Sequence, residues 1–182
     1  MPIILASSSP RRRELLEQAG IVFEVLPSPA EEIHDPAMKP DHLCELNATL
    51  KAAAVAEMHP HAIVIGSDTL VFIDEMPLGK PADLEEAHAM LRRLSGRTHR
   101  VCTGVCVIHP GGLQKVFHDI TEVTFRTLDE AAIARYFSRV NPLDKAGAYG
   151  IQEHGDEIIS GIHGTYENVM GLPTQMVLDA LA

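Results

Sequence analysis

Apolar and polar residues follow one another in blocks that predict strands and helices in alternation. Apolar runs predict three strands in the first half of the chain, at residues 3–6, 21–26 and 61–73. Apolar side chains at helical spacing, flanked by proline or a capping residue, predict helices over residues 10–19, 40–58 and 83–94. Residues 28–39 contain two prolines and mixed charge, which indicates a loop.

The second half continues the alternation. Residues 98–109 and 114–126 predict a hairpin joined by Pro110, Gly111 and Gly112. A helix is expected to about residue 139, then loop and strand over 141–152, an irregular polar stretch over 160–171 and a final helix over 172–181. Strands interspersed with helices predict an α/β architecture with a mixed sheet. The 182 residues suffice for one domain, or for two small lobes that share a core.

Charge, apolar runs and cysteine count limit the binding partners and the cellular location that we expect. The formal net charge is −10, which disfavours nucleic acid and anionic membrane surfaces as partners. The apolar run at the N-terminus is too short for a signal-peptide core, and no run approaches the length of a membrane span. A cytoplasmic location is therefore expected. The three cysteines, an odd number without a secretion signal, indicate free thiols rather than a disulfide framework.

Three consecutive arginines, Arg11, Arg12 and Arg13, stand in the predicted first turn of a helix, after a serine-rich loop. Cations are unfavourable near a helix N-terminus, whereas an anion is stabilised there by free N–H groups and the helix dipole. The cluster therefore indicates an anion site. The alternative is a solvated basic face paired with Glu14 and Glu17.

Asp68 interrupts the apolar strand 61–73, and a buried carboxylate has to be paired or solvated. It is either a catalytic group at a cleft or a structural residue that accepts backbone N–H groups in a turn. Lys51, Lys80 and Lys145 stand in apolar or turn settings. Each is either a surface lysine or part of a polyphosphate clamp.

A clamp of this kind would work with a divalent metal held by Asp68 and by Glu31 or Glu32. The chain has no Walker loop, no nucleophile-elbow motif and no zinc-binding histidine or cysteine pattern.

Six segments occur in order from Ser7 to Pro173: SSSPRRRELL, IGSDTLV, LGKPAD, LSGRTHRVCTGV, DKAGAYGIQ and NVMGLP. Together they closely resemble the Maf family of nucleoside triphosphate pyrophosphatases, over nearly the whole chain. The resemblance implies a single domain over 1–182. It also implies a mixed, strongly curved sheet with flanking helices, in two lobes around a deep cleft, as in inosine triphosphate pyrophosphatases.

The resemblance further implies hydrolysis of the bond between the α- and β-phosphates of a nucleoside triphosphate, with Mg²⁺ or Mn²⁺. Maf-like proteins often form homodimers, and the family has been tied to septum formation. A homodimer and a link to cell division are therefore expectations.

The matching motifs imply roles for individual residues of this chain. Arg12 matches the phosphate-gripping arginine, and Ser7 and Ser9 line its loop. Asp68 matches the proton acceptor, and Lys51 and Lys80 match the two phosphate-facing lysines. Glu32 matches the acidic residue after the second strand, and with Asp68 it would hold the metal. Ala30-Glu31-Glu32 departs from the usual Val-Asp-Glu, so the choice between Glu31 and Glu32 stays open.

Three further positions distinguish branches of the family. Arg11, Thr69 and Gln152 match the branch that prefers dTTP and UTP and often accepts modified pyrimidine nucleotides. A second branch prefers 7-methyl-GTP and lacks these residues. The expected function is thus a dTTP and UTP pyrophosphatase. The alternatives are a 7-methyl-GTP pyrophosphatase and a non-catalytic nucleotide-binding regulator of septation.

Overall fold

The elements of the computed structural model, which describes all 182 residues, follow the predicted alternation closely. Its seven strands are β1 (Ile3–Leu5), β2 (Glu24–Val25), β3 (Ile63–Ile73), β4 (Met76–Leu78), β5 (Thr98–Ile108), β6 (Gln114–Phe125) and β7 (Ile159–His163). Its seven α-helices are α1 (Pro10–Gln18), α2 (Pro40–Ala56), α3 (Leu84–Leu94), α4 (Glu130–Phe137), α5 (Gly155–Ile158), α6 (Tyr166–Met170) and α7 (Thr174–Leu181). A single 3₁₀ turn covers Ala146–Ala148.

All seven strands belong to one sheet with the order β2-β1-β3-β5-β6-β7, and β4 pairs with β3 outside this path. Strand β1 runs parallel to both β2 and β3, whereas β4 is antiparallel to β3 and β7 is antiparallel to β6. The expected α/β fold with a mixed sheet is confirmed.

The chain divides into two compact units, each built from segments that are distant in sequence. The first comprises residues Met1–Thr69, Thr103–Asp119 and Gly171–Ala182. Part of its core is an apolar cluster of Ile4, Ala6, Ala48, Ala52, Val55, Ala62, Val64, Cys106 and Ile108. This cluster packs α2 against residues of β1, β3 and β5.

The second unit comprises Leu70–Cys102 and Ile120–Met170. Its apolar core draws on α3, α4 and the strand residues of this unit, with Leu91, Leu94, Ile133 and Tyr136 fully buried. His99, Phe125 and Tyr149 form an aromatic cluster inside it, with ring centroids 4.9–5.4 Å apart in edge-to-face contacts. His99 Nε2 lies 2.8 Å from the Tyr149 hydroxyl.

Local sequence signals explain where the helices begin. Pro10 and Pro40 occupy the first turns of α1 and α2. A backbone N–H in the first turn has no carbonyl partner within the helix, so proline, which lacks the N–H, loses no hydrogen bond there. Asp83 and Asp129 cap α3 and α4, each accepting a hydrogen bond from a backbone N–H three residues on.

Two glycines allow α2 to lie close to the sheet. A Cβ atom on Gly66 of β3 would stand 2.2 Å from the Ala48 carbonyl oxygen, and one on Gly104 of β5 would stand 2.4 Å from the Cys44 carbonyl carbon. Only glycine fits at such distances from backbone atoms. These contacts set the distance between α2 and the strand residues that carry the polar groups described below.

Several boundaries differ from the prediction. The strand expected at 21–26 is limited to Glu24–Val25, and no strand forms within 141–152, where Gly147 and Ala148 have positive φ angles. The stretch 160–171 was predicted to be irregular, which is wrong, because it holds most of β7 and all of α6. Strand β7 is largely exposed, so its sequence lacks the apolar alternation that marks a half-buried strand.

The three cysteines are buried and free, as expected. No helix in the structure combines the length and apolar character that crossing a membrane requires.

Candidate active site

Asp68 lies in β3 as a buried carboxylate, with both oxygens bound by side chains of α2. Lys51 Nζ donates to Asp68 Oδ1 at 2.8 Å, and Asn47 Nδ2 donates to Asp68 Oδ2 at 3.1 Å. The alternative in which backbone amides satisfy Asp68 therefore does not describe this site. Two donors on different oxygens hold the carboxylate in a fixed orientation.

Lys51 joins two carboxylates. Its ammonium group lies 2.6 Å from Glu32 Oε1 in addition to its contact with Asp68. The Lys51 side chain is only 12% exposed, whereas the Glu32 side chain is 44% exposed. Glu32, rather than the neighbouring Glu31, is thus the acidic residue that the structure brings to Lys51.

Asn47 completes this group and was not predicted. It is buried in α2, one helical turn before Lys51, and it also forms two hydrogen bonds with the backbone of Ile33. An asparagine and a lysine four residues apart share one helix face. That spacing was a usable signal, but an uncharged polar residue does not stand out in a sequence as a charge does.

Arg12 is a buried guanidinium on α1, far from Asp68 in sequence. Its Nε donates to the Gly171 carbonyl at 2.8 Å, Nη1 to Ser7 Oγ at 3.1 Å and Nη2 to Thr69 Oγ1 at 3.0 Å. Three of its five N–H groups therefore bind the protein, and two remain for a ligand.

Burial is the main cause that lowers the pKa of Arg12, and the negative charge of Asp68 opposes it. The neighbouring Arg11 also lowers this pKa, which places the two guanidinium groups within electrostatic reach of each other. A ligand that carries negative charge would relieve this repulsion.

The other residues of the serine-arginine loop differ in role. Ser7 Oγ accepts from the Ser9 N–H at 3.2 Å as well as from Arg12. Ser9 stands at the N-cap of α1, but its side chain forms no capping bond. Arg13 is exposed and pairs with Glu17 at 2.8 Å, so the alternative of a solvated basic face describes Arg13.

Thr69 follows Asp68 and links the Arg12 group to β5. Its hydroxyl accepts from Arg12 and lies 3.0 Å from the Thr103 hydroxyl. Gly171 adjoins the same group, and a Cβ atom there would stand 3.2 Å from Thr69 Oγ1 and 3.3 Å from Arg12 Nε. Thr103 and Ser67, which donates to the Gly171 carbonyl at 3.0 Å, were not predicted either.

The structure brings together eight predicted residues within the first unit: Ser7, Ser9, Arg11, Arg12, Glu32, Lys51, Asp68 and Thr69. Lys80 and Gln152 belong to the second unit. There Lys80 is exposed, and Gln152 has a buried Oε1 without a hydrogen-bond partner. Lys145, in the same unit, has its ammonium group bound to the Asn141 carbonyl, Asp144 and Glu153. Its contacts are therefore structural.

Asp68 and Glu32 also fit the implied divalent metal. Both already contact one cation, the Lys51 ammonium, and both offer the oxygen ligands that Mg²⁺ and Mn²⁺ prefer. No group of three or more histidine, cysteine, aspartate or glutamate side chains in the chain is placed to hold a metal ion. Two carboxylates agree with the usual mode of Mg²⁺, which is bound by one or two carboxylates together with water and substrate phosphates.

Curated relatives resemble the chain over nearly its full length. The "dTTP/UTP pyrophosphatase" of Akkermansia muciniphila is 52% identical, and the alignment covers 99% of this chain and 95% of the relative. Proteins of the same name from Nitratidesulfovibrio vulgaris and Pelotomaculum thermopropionicum are 49% and 46% identical, covering 94% and 98% of this chain and 82% and 94% of theirs.

Solved structures share the fold at low sequence identity. The nucleoside-triphosphatase / dITP/XTP pyrophosphatase from Mycobacterium abscessus superimposes with a TM-score of 0.50 at 16% identity, covering 100% of this chain and 93% of that one. The Ham1 protein of Staphylococcus aureus also gives 0.50 at 16% identity, over 69% and 72% of the two chains. The model of the family described as "Maf-like protein" matches residues 2–182, and the chain belongs to this family.

Proposed function

We propose that this chain hydrolyses dTTP and UTP between the α- and β-phosphates, giving the nucleoside monophosphate and pyrophosphate. The observation that carries the reaction is the pair of carboxylates, Asp68 and Glu32, held on one lysine ammonium. The substrates follow from the relatives that are 45–52% identical and bear the name dTTP/UTP pyrophosphatase.

Asp68 serves as the proton acceptor for the attacking water. Its hydrogen bonds from Asn47 and Lys51 fix its orientation. Each carboxylate oxygen keeps a further acceptor position beyond the bond it already makes, so a water can be bound and deprotonated there.

Cations of the chain stabilise the charge that grows on the phosphates. Arg11 and the two uncommitted N–H groups of Arg12 are available at the start of α1, and Lys51 stands beside Asp68. The family motif assigns Lys80 to the same task. Fixed cations in a site sheltered from water stabilise developing charge more strongly than exposed ones do.

A divalent metal bound by Asp68 and Glu32 would supply Lewis-acid stabilisation of the phosphate oxygens and lower the pKa of a bound water. The chain's own contribution is to hold the two carboxylates at one position through Lys51.

Thr69 and Gln152 are the residues that we assign to selection of the base. Thr69 accepts from Arg12, which leaves its own proton available to a carbonyl oxygen or to Thr103. Gln152 Oε1 is buried without a donor, and burial of an unpaired acceptor is unfavourable. Thymine and uracil carry an N–H between two carbonyl groups, which suits an acceptor of this kind, whereas cytosine carries none at that position.

The test is pyrophosphate release from dTTP, UTP, CTP, GTP, ATP and 7-methyl-GTP, with Mg²⁺ or Mn²⁺ and with EDTA as the metal-free control. We expect release from dTTP and UTP that EDTA abolishes. The Asp68→Asn variant should lose activity by about 10²- to 10⁴-fold, the usual contribution of a general base, while it keeps its fold.

Release mainly from 7-methyl-GTP would keep the reaction but overturn the roles of Arg11, Thr69 and Gln152. Tight nucleotide binding without turnover would instead identify a non-catalytic regulator. A cytoplasmic location and a homodimer are part of the same proposal, and fractionation of cells and light scattering test them.

A further inference from the structure

Asn47 has a buried amide whose hydrogen bonds connect two separate parts of the proposed site. The residue is only 2% exposed. Its Oδ1 accepts from the Ile33 N–H at 2.8 Å, and its Nδ2 donates both to the Ile33 carbonyl at 3.1 Å and to Asp68 Oδ2 at 3.1 Å. Both N–H groups of the amide are therefore used, and its oxygen is satisfied as well.

The chemistry of the partners fixes the orientation of this amide. The backbone N–H of Ile33 can only donate, and the Ile33 carbonyl and the Asp68 carboxylate can only accept. If the amide were rotated by 180°, its NH₂ group would face the Ile33 N–H, which is also a donor. Its oxygen would then face the Ile33 carbonyl and the Asp68 carboxylate, which are both acceptors. Asn47 can thus make these bonds in one orientation alone.

These bonds tie an irregular segment to α2. Ile33 directly follows Glu32 in a stretch between β2 and α2 that has no helix or strand. The Glu32 side chain is 44% exposed and reaches Lys51, one turn along α2 from Asn47. The backbone next to Glu32 and the carboxylate of Asp68 are consequently held by one side chain.

We propose that Asn47 is a positioning residue that sets the separation and orientation of the carboxylates Asp68 and Glu32 without touching the substrate. The proposal rests on the proposed function, because it gives Asn47 its role in that reaction. Groups that orient metal-binding or catalytic carboxylates through hydrogen bonds typically account for about 10- to 100-fold in affinity or activity.

The test replaces Asn47 by leucine, which has nearly the same shape but no hydrogen bonds, and by alanine, which demands less space if the leucine variant does not fold. Val55→Ala is the matched control, because Val55 is fully buried in the same helix and belongs to the apolar cluster around it. Two quantities are measured for each protein: kcat and KM for dTTP, and the hydrogen-exchange rate of the Ile33 amide.

For the Asn47 variants we expect kcat to fall about 10- to 100-fold, with faster exchange at Ile33. We expect Val55→Ala to lower stability while it leaves kcat and the Ile33 exchange rate near those of the parent. An Asn47 variant that folds and keeps the parent kcat would overturn the proposal, as would unchanged exchange at Ile33. If the parent protein hydrolyses no nucleotide, the proposed function fails, and the exchange measurement still decides whether Asn47 holds the Glu32 segment.

Discussion

Charged residues in apolar surroundings are the features that the sequence predicted best at the scale of single residues. Asp68 interrupts a strand, and Lys51 is the sole charge in an alanine-rich stretch of helix, so burial of either one requires a partner. The structure shows that they are partners of each other. Asn47 and Thr103 were not predicted because an uncharged polar residue can be buried with an ordinary hydrogen bond and leaves no anomaly in the pattern.

Lys51 and Lys80 should differ in what their loss does to stability. Lys51→Met leaves the buried Asp68 carboxylate without its cation, and breaking a buried pair by removing one partner typically destabilises by about 3 kcal/mol or more. Lys80 is exposed, so Lys80→Met should change stability by less than about 0.5 kcal/mol. Both variants should lose hydrolysis of dTTP.

Urea unfolding and steady-state rates for the two variants test this pair. Equal stability of Lys51→Met and the parent would show that Asp68 does not depend on Lys51. Added Mg²⁺ should raise the stability of Lys51→Met more than that of the parent, because the metal would replace the missing ammonium.

His99 should make the stability of the protein depend on pH. Burial lowers its pKa to about 4, so the imidazole is neutral in the folded chain at neutral pH. The unfolded chain binds a proton near pH 6.5, and the folded chain does so only near pH 4. The stabilisation that the neutral His99 provides is therefore complete above pH 6.5. It is lost as the pH falls from 6.5 to 4, and the total loss over this window is about 3 kcal/mol.

The check is urea unfolding of the parent and of His99→Gln at about pH 7 and about pH 4.5. The stability advantage of the parent should shrink by about 2 to 3 kcal/mol between these two pH values. An advantage that is the same at both would mean that His99 is protonated as readily in the folded chain as in the unfolded one.

At the scale of elements, capping residues and apolar periodicity predicted the helices, whereas the strand at the exposed edge of the sheet was not predicted. Helix α3 was predicted with its Asp83 cap and its end at Leu94, because its apolar residues, acidic first turn and basic last turn all agree. Strand β7 pairs with β6 alone and is mostly exposed, so nothing in its sequence required an apolar pattern. Its place is decided by pairing between distant segments, which a local pattern does not contain.

Because α2 lies so close to β5, we predict that a substitution at Gly104 strongly lowers the stability of the protein. In Gly104→Ala the new Cβ atom would meet backbone atoms of Cys44 at 2.4 Å, which forces the helix away from the strand. Overpacking of this kind typically costs about 1–3 kcal/mol or more. Since α2 carries Asn47 and Lys51, we also expect a loss of activity.

Gly161→Ala in β7 is the matched control, since a Cβ atom there has no neighbour within 4 Å. Thermal unfolding and the rate of dTTP hydrolysis compare the two. A Gly104→Ala protein as stable and as active as Gly161→Ala would show that α2 can shift without consequence for the site.

At the scale of the whole molecule, the mixed α/β class followed from the alternation of elements, whereas the division into units did not. Each unit is assembled from segments far apart in the chain, and β3, β5 and β6 each contribute residues to both. A composition shift or linker, which marks a boundary between consecutive domains, is therefore missing. Asp68, Lys51, Glu32 and Arg12 all belong to the first unit.

The central claim is hydrolysis between the α- and β-phosphates by attack of water on the α-phosphorus. Turnover of dTTP in ¹⁸O-labelled water, followed by mass spectrometry of the products, tests it most directly. The account predicts dTMP that carries one ¹⁸O atom and pyrophosphate that carries none. Labelled pyrophosphate with unlabelled dTMP, or dTDP with inorganic phosphate, would contradict it, because the water would then have attacked a different phosphorus atom.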